Sequence, residues 1–324
     1  MARVVRGSAL VIAWSILALA VVFTIVRQLN VTQITLVAVM VGMQFAAIPT
    51  AVAAVVFAAA RSRVGLLVAL IVTVALAGIQ VPRFATDEQV ATGPEMTVLT
   101  INAGHGEADA RSIVAQVEAS DADILAVQEL TQDEVDDLTS AGVEKLLPYS
   151  FTAALPVADG TGLWSKTPLT GGTRLEGFGF VPVQADTTID GVDLTVVSFH
   201  AMSPATPRHA VEWAADLEKM RTGMDNYTKT VLVAGDFNAT WDHRQFRDLA
   251  TDGFGDAAGM AGAGLFRTFP SDRPLAQLDH VVVSDSVDAL NVAPVSIPGS
   301  DHLAVMANLR LPTGRTEHLS GDSP

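Results

Sequence analysis

The N-terminal part of the chain contains apolar stretches long enough to form membrane helices. The run SALVIAWSILALAVVFTIV at 8–26 has 19 residues and no charge. An α-helix needs about 20 residues to cross the roughly 30 Å hydrocarbon core of a bilayer. Two further runs follow at 34–60 and 64–81, and the first of these contains Pro49, which membrane helices tolerate as a kink. The sequence therefore predicts an anchor of three transmembrane helices within residues 1–81.

A cleaved signal peptide is the alternative interpretation of the first run. The apolar core of a signal peptide usually has about 7–15 residues, and this run is longer and is followed by further apolar runs. We therefore favour the anchor. A lone polar residue inside it, such as Gln44, more often bonds a neighbouring helix than lines a pore.

The charges are divided unevenly along the chain. Residues 1–83 contain six arginines and no Asp, Glu or Lys, so residues 84–324 hold the other 14 basic residues and all 35 acidic ones, a formal charge of −21. The chain has no cysteine, which excludes disulfide bonds and thiolate metal sites. Any metal must therefore be bound by oxygen or imidazole.

The arginines beside the predicted spans indicate an orientation. With three spans they divide into two groups on opposite sides of the membrane, Arg3, Arg6, Arg61 and Arg63 against Arg27 and Arg83. Cytoplasmic loops carry an excess of Lys and Arg, so we expect a multi-pass protein with a cytoplasmic N-terminus and an extracytoplasmic acidic portion. The Ala- and Val-rich composition fits a bacterial inner membrane, and an even number of spans would place the acidic portion in the cytoplasm instead.

The remainder of the chain predicts one α/β domain. The polar segment at 82–95, with two prolines and a glycine, is typical of a linker. Within residues 96–312 the runs typical of strands lie at 96–102, 122–130, 162–166, 193–200, 230–236, 278–285 and 303–311, and those typical of helices at 107–120 and 208–226. Many strands and few helices favour two sheets flanked by helices. Residues 313–324 read as a disordered tail.

Polar side chains recur at the ends of these strands. They are carboxylates, carboxamides and two imidazoles, namely Asn102, Glu129, His200, Asp236, Asn238, Asp279, Asp301 and His302. Taken singly, most are explained as turn or capping residues or as hydrogen-bonded core histidines, although an unpaired carboxylate such as Glu129 is costly at the end of a buried strand. As a set they are the groups that a hard divalent cation, Mg²⁺ or Mn²⁺, and a phosphate require.

Two of these residues stand close together in the run VLVAGDFNAT at 231–240. Side chains two residues apart on a strand point the same way. The spacing therefore predicts that Asp236 and Asn238 lie on the same face, although an Asx-turn at Asp236 is the alternative.

Seven motifs in order resemble the endonuclease/exonuclease/phosphatase superfamily. They are LTIN with Asn102, VQE with Glu129, GTGLWSKTPL, SFHAMSP with His200, GDFNAT, LDHVVVSD and SDHLAVMANLRL, and they span nearly all of residues 96–312. The resemblance implies a four-layer α/β/β/α sandwich with its site at the mouth between the two sheets.

The resemblance also implies a metal site. Glu129 would be the central ligand of Mg²⁺ or Mn²⁺, and Asn102 and Asp301 would lie nearby or bind through water. His105 follows Asn102 closely enough to reach this site, whereas His280, where many relatives have tyrosine, is a candidate for a structural residue.

The catalytic roles follow from the same resemblance. Asp236 would orient or deprotonate the attacking water, and Asn238 would position the water and the phosphate. His302, held in direction by Asp279, would donate a hydrogen bond to a phosphate oxygen, and His200 would donate a second one. Fixed donors at oxygens that gain negative charge are a common means of accelerating such a reaction.

The sequence thus predicts a membrane-anchored, metal-dependent phosphodiesterase, and no protein partner is inferred. Nucleic acid is one substrate class, although a charge of −21 argues against tight binding to phosphate backbones. A lipid head group or small phosphate ester is another, since an anchor raises the effective concentration of a membrane substrate. An inactive binding or signalling domain is the alternative function, but the loss of a ligand or histidine that usually accompanies such decay is not seen.

Overall fold

The structure is a computed structural model that describes residues 2–157 and 159–313. The predicted tail lies outside these residues, except for Thr313. Within the described ranges the chain forms four N-terminal α-helices and an α/β domain of twelve strands.

The N-terminal helices include two clear candidates for membrane spans. Helix α1 (Ala2–Val26) and helix α4 (Arg63–Gln80), with the 3₁₀ turn that follows it, are each long and apolar enough to cross a membrane. The second apolar run is not the single helix that its sequence predicts. It forms α2 (Ile34–Val41) and α3 (Ala47–Ala59), which are bent by 45° relative to each other, so the helices provide two spans, or three if the bent pair is one span.

The bend lies before Pro49, in the 3₁₀ turn Met43–Phe45. Pro49 falls in the first turn of α3, where its missing N–H leaves no helical hydrogen bond broken. Helix α3 alone has 13 residues and is about 20 Å long, which is shorter than a bilayer core. Helix α2, which would lengthen the run to a full span, packs against the α/β domain through Val37.

Two mixed sheets of six strands each form the domain. The first sheet contains β1 (Glu95–Asn102), β2 (Ile124–Gln128), β3 (Tyr149–Ala153), β4 (Thr161–Ser165), β11 (Asp288–Ser296) and β12 (Leu303–Arg310). The second contains β5 (Thr170–Arg174), β6 (Val183–Ile189), β7 (Val192–His200), β8 (Thr230–Asp236), β9 (Phe254–Asp256) and β10 (Asp279–Ser284). The strand orders are β11-β12-β1-β2-β4-β3 and β5-β6-β7-β8-β10-β9.

The sheets pack face to face, and helices cover their outer faces. Because side chains alternate along a strand, Val98 of β1 lies in the core between the sheets while Leu99 packs under the helices of the first sheet. Those helices are α5 (Ala110–Ser120), α6 (Gln132–Ala141) and α7 (Val143–Leu146), and α8 (Pro207–Met224) and α9 (Arg244–Leu249) cover the second sheet, with α10 (Ala257–Met260) against β11. The predicted α/β sandwich is confirmed.

The segment between the anchor and β1, predicted as a linker, lies along the edge of the domain. The backbone N–H of Asp87 donates to the carbonyl of Met260. The carboxylate of Asp288 accepts from two consecutive N–H groups, those of residues 90 and 91, at 3.0 and 2.8 Å. Gly93 donates to the carbonyl of Leu311. Such pairing fixes the path of a segment that has no helix or strand of its own.

Gly235 permits the close approach of β8 to β7. Its φ is +151°, and a Cβ at this position would collide with the backbone carbonyl of Phe199.

We expect Gly235→Ala to lower the free energy of unfolding by about 3 kcal/mol or more, because a backbone collision adds to the conformational strain. Thermal unfolding of the purified full chain would measure the loss. Gly191→Ala is the matched control, since Gly191 also has a positive φ of +84° but no atom within 4 Å of the added Cβ, and an equal loss in both variants would contradict the explanation.

Candidate active site

Three site residues lie side by side on neighbouring strands of the second sheet. His200 ends β7 and pairs with Asp236 at the end of the parallel strand β8, and Asp236 pairs with Asp279 at the start of the antiparallel strand β10. All three side chains are buried. The strand register therefore fixes the relative positions of these groups before any loop contributes.

Asn238 reaches the same site by a tight turn. Strand β8 ends at Asp236, and Asn238 has a left-handed φ of +49°. The N–H of Asn238 donates to Asp236 Oδ1 at 2.7 Å, and its side-chain Nδ2 donates to the carbonyl of Ala201 at 3.0 Å and lies 3.5 Å from His200 Nε2. The prediction that strand alternation brings the two side chains together is thus wrong. They converge because Asp236 and Asn238 form an Asx-turn, and asparagine tolerates the left-handed conformation that this turn requires.

The first sheet contributes the partly exposed carboxylate of Glu129. Glu129 follows β2 directly and has a left-handed φ of +53°. Its Oε1 accepts from Asn102 Nδ2 at 3.0 Å, and its Oε2 accepts from the backbone N–H of His105 at 2.8 Å. The Glu129 side chain keeps 15% of its surface exposed, whereas that of Asp236 keeps 2%. Glu129 is therefore easier for a cation to approach from solvent than Asp236 is.

Asn102 links the two sheets. Its Nδ2 also donates to Asp236 Oδ2 at 3.1 Å, so one amide bridges carboxylates from both sides of the sandwich. Its Oδ1 accepts from the backbone N–H of Gly104 at 3.0 Å. Asp301, which is exposed, lies on the same side, since a Cβ on Gly104 would be 3.7 Å from Asp301 Oδ1. Of the three residues predicted as metal ligands, Asn102 and Glu129 are thus in direct contact, and Asp301 lies near the loop that follows Asn102.

His302 completes the site from the loop before β12. Its Nδ1 lies 2.8 Å from Asp279 Oδ2, and its Nε2 lies 3.8 Å from Asp236 Oδ2. Asp236 Oδ2 is also 3.7 Å from His200 Nε2. One oxygen of Asp236 thus has an amide and two imidazoles around it.

The buried charges shift the pKa values of this cluster. Burial raises the pKa of Asp236 to about 7, with the Asp279 carboxylate adding to the effect and His302 opposing it. Burial by itself lowers the pKa of His302, but the carboxylates of Asp279 and Asp236 outweigh it and raise that pKa to about 10. At neutral pH His302 is therefore a cationic donor, and Asp236 is poised to exchange a proton.

Two aromatic rings that were not predicted from the sequence support the histidines. Phe180 stacks on His200 with ring centroids 4.2 Å apart, and Phe269 lies against His302 at 4.8 Å. The hydroxyl of Thr268, next to Phe269, accepts a hydrogen bond from the backbone N–H of Asp279 at 3.2 Å. The rings restrict the orientation of His200 and His302, and the hydroxyl holds the backbone at Asp279.

The two further histidines have separate roles. His105 has 62% of its side chain exposed and lies at the mouth of the site, with its Nδ1 3.3 Å from Glu129 Oε2. His280 is fully buried on the other face of β10, where it contacts Asp256 and the carbonyl of Ala239. The structure therefore places His105 near the site and His280 in the core.

The donor atoms suit a hard cation such as Mg²⁺ or Mn²⁺ at Glu129. Asp236, Asp279 and His302 also present ligand atoms within 4.8 Å of one another. Two of these three groups are already bonded to each other, since Asp279 Oδ2 lies 2.8 Å from His302 Nδ1. Glu129, whose side chain is 15% exposed and is bonded to Asn102, is therefore the better candidate for the metal site.

Comparison with known proteins assigns the fold to a family. The model described as "Endonuclease/Exonuclease/phosphatase family" matches residues 99–302. No curated protein matches the chain. Similar solved structures include D. rerio TDP2 complexed with a single-strand DNA product (13% identity, TM-score 0.55, 66% of this chain and 98% of that one), truncated C. elegans TDP2 (17%, 0.53, 67% and 97%) and the endonuclease/exonuclease/phosphatase of Beutenbergia cavernae (17%, 0.52, 68% and 72%).

At these identities the likeness to the solved structures shows the fold alone. The family model, in contrast, covers more than half of the chain and includes all eight site residues. The chain belongs to the endonuclease/exonuclease/phosphatase family.

Proposed function

We propose that the protein is a divalent-metal-dependent hydrolase of phosphodiester bonds, held at a membrane by its N-terminal helices. Members of the family are hydrolases that act on such bonds and generally depend on a divalent metal. The observation that carries the proposal is the convergence of Asn102, His200 and His302 on one oxygen of Asp236, beside the accessible carboxylate of Glu129.

The metal site is proposed at Glu129, with Asn102 and Asp301 beside it. A Mg²⁺ or Mn²⁺ bound there would neutralise negative charge that develops on the phosphate. The bridging amide of Asn102 keeps Glu129 and Asp236 at a fixed separation. A cation at this place would also lower the pKa of Asp236 and favour its ionised form.

The proton and phosphate groups are proposed on the second sheet. Ionised Asp236 would accept a proton from the attacking water, since its pKa lies near 7. His302 and His200 would donate hydrogen bonds to phosphate oxygens, and Asn238 would orient the phosphate. Asp279 holds the His302 ring through Nδ1, leaving Nε2 directed toward Asp236 and the substrate.

A multi-pass topology with the domain outside the cytoplasm is part of the proposal. Arg6 donates to the carbonyl of Ala60, so the start of α1 lies beside the end of α3. Arg27 and Arg83 contact the domain at the other ends of α1 and α4. The excess of arginine at the end away from the domain favours a cytoplasmic location for that end.

All eight predicted site residues are present, which argues against an inactive binding domain.

The two candidate classes of substrate make different demands on the charge of the protein. A nucleic acid would meet a portion of the chain with a formal charge of −21, which weakens binding to phosphate backbones. We therefore favour a lipid head group or small phosphate ester close to the bilayer, where the anchor raises the effective concentration.

Comparison of three probes would distinguish these classes. The full chain, reconstituted with Mg²⁺, would be given supercoiled plasmid, phospholipid vesicles and bis(p-nitrophenyl) phosphate. Release of a lipid head group without plasmid nicking would support the membrane substrate. Nicking without lipid hydrolysis would overturn that choice while leaving the phosphodiesterase assignment intact.

Replacement of the accessible carboxylate tests the metal site. We expect Glu129→Gln to lower turnover of bis(p-nitrophenyl) phosphate on the order of 10²-fold or more, because it removes the anionic ligand. Circular dichroism would check that the fold is kept. The matched control is Glu107→Gln, because Glu107 is an exposed acid in the neighbouring loop between β1 and α5. Unchanged metal-dependent turnover in Glu129→Gln would refute the assignment.

The pKa values of the cluster predict a bell-shaped pH dependence. Activity should rise as Asp236 loses its proton, at or below about pH 7, and fall as His302 loses its proton near pH 10. Asp279→Asn removes a carboxylate that raises the pKa of His302, so the alkaline limb should move to lower pH and kcat should fall by about 10- to 100-fold. A pH–rate profile of both proteins would measure this, and an alkaline limb that stays in place would count against the role of His302.

A further inference from the structure

A buried ion pair joins the membrane anchor to the catalytic domain. Arg27, the first residue after α1, donates from Nε to Asp242 Oδ1 at 2.6 Å, and the two side chains keep 7% and 2% of their surface exposed. Gln80, the last residue of α4, points its amide at the same carboxylate, at 3.4 and 3.5 Å from its two oxygens. Asp242 therefore binds the ends of two anchor helices at once.

The residue after Asp242 binds the third element of the anchor. The N–H of Thr240 donates to His243 Nδ1 at 2.9 Å, so Nδ1 is the acceptor and Nε2 bears the proton. His243 Nε2 then donates to the carbonyl of Val37 in α2 at 3.0 Å. Burial lowers the pKa of His243 to about 4, which is consistent with this neutral tautomer.

The contacts with the anchor begin at Asp242, four residues after Asn238, and His243 is bonded in turn to Thr240, two residues after Asn238. The segment that follows β8 runs directly from Asn238 to Thr240, and the intervening carbonyl of Ala239 lies 2.9 Å from His280 Nε2. The turn that directs Asn238 toward the phosphate is therefore fixed by a core histidine on one side and by the anchor on the other. Loss of the anchor would leave a buried carboxylate without its cation, which is strongly unfavourable.

The loop on the opposite side of the site also rests on the anchor. Gln44, in the turn after α2, donates to the carbonyl of Leu275 at 2.7 Å, and Arg83 donates to Gln277 at 3.0 Å. The same loop carries Phe269 against His302. Two loops that support catalytic side chains thus contact the helices, whereas a simple tether would need neither contact.

We infer that Arg27 is a positioning residue for catalysis, acting through Asp242 on the turn that holds Asn238. The inference rests on the proposed function, because it assigns Arg27 a role in that same site. The helices are then part of the support of the active site as well as its attachment to the membrane.

A double-mutant cycle on the full chain in lipid nanodiscs tests this inference. Arg27→Gln, Asn238→Ala and the double variant would be assayed with bis(p-nitrophenyl) phosphate and Mg²⁺. We expect Arg27→Gln to lower kcat about 10-fold in the wild-type background and less than about 2-fold in the Asn238→Ala background, because both changes remove the same interaction. The control is Arg6→Gln, at the far end of the same helix, which should leave kcat within about 2-fold.

Equal losses in both backgrounds, or no loss in Arg27→Gln, would overturn the inference. If Arg27→Gln fails to fold, Asp242→Asn, which keeps the shape of the side chain, replaces it in the cycle.

Hydrogen exchange provides a readout that does not depend on turnover. Arg27→Gln should increase exchange in residues 237–247 and leave strand β2, which precedes Glu129, unchanged. If Arg27→Gln increases exchange in this way but the wild-type protein shows no activity, the coupling between the helices and the turn stands and the proposed function is rejected. Unchanged exchange in 237–247, or an equal increase in both segments, would reject the coupling itself.

Discussion

The pairing of β7, β8 and β10 is the constraint on which the site depends. Its register sets His200, Asp236 and Asp279 in one row across the second sheet. Every other site group is placed relative to that row. Asn102 reaches it from the first sheet, and His302 reaches it through Asp279. A shift of one residue in either pairing would turn these side chains to the other face of the sheet. Because the packing of the two sheets fixes the register, it also keeps the site residues in position.

Much of the fold was predictable because buried strands leave a strong pattern of apolar residues. The polar residues that end those strands were predictable too, since a carboxylate such as Glu129 is out of place in a core. Weaker patterns were missed. Strand β11 has an alternating, half-exposed pattern that includes Pro294, and helix α6 is strongly polar, with Asp133 and Glu134 in its first turn. Local composition did not distinguish these elements from loops.

The supports of the site could not be predicted from local sequence. Nothing in the run TWDH indicates that Asp242 and His243 bind helices about 200 residues upstream. Likewise, Phe180 lies in a run rich in glycine that marks a loop but does not reveal that its ring covers His200. The local geometry at Asn238 was not predicted either, because a left-handed turn replaces the expected strand geometry there. Contacts of this kind depend on the complete tertiary structure.

The pair formed by Arg27 and Asp242 also constrains the order of biosynthesis. The partners are separated by 215 residues, and chains generally fold from the N-terminus as they are made. In the proposed anchored protein, the helices would enter the membrane long before Asp242 is synthesised, and the guanidinium of Arg27 would stay solvated at the bilayer surface in the meantime. The domain would then complete its folding by docking on helices already in place, and the membrane would act as a template for the last step of assembly.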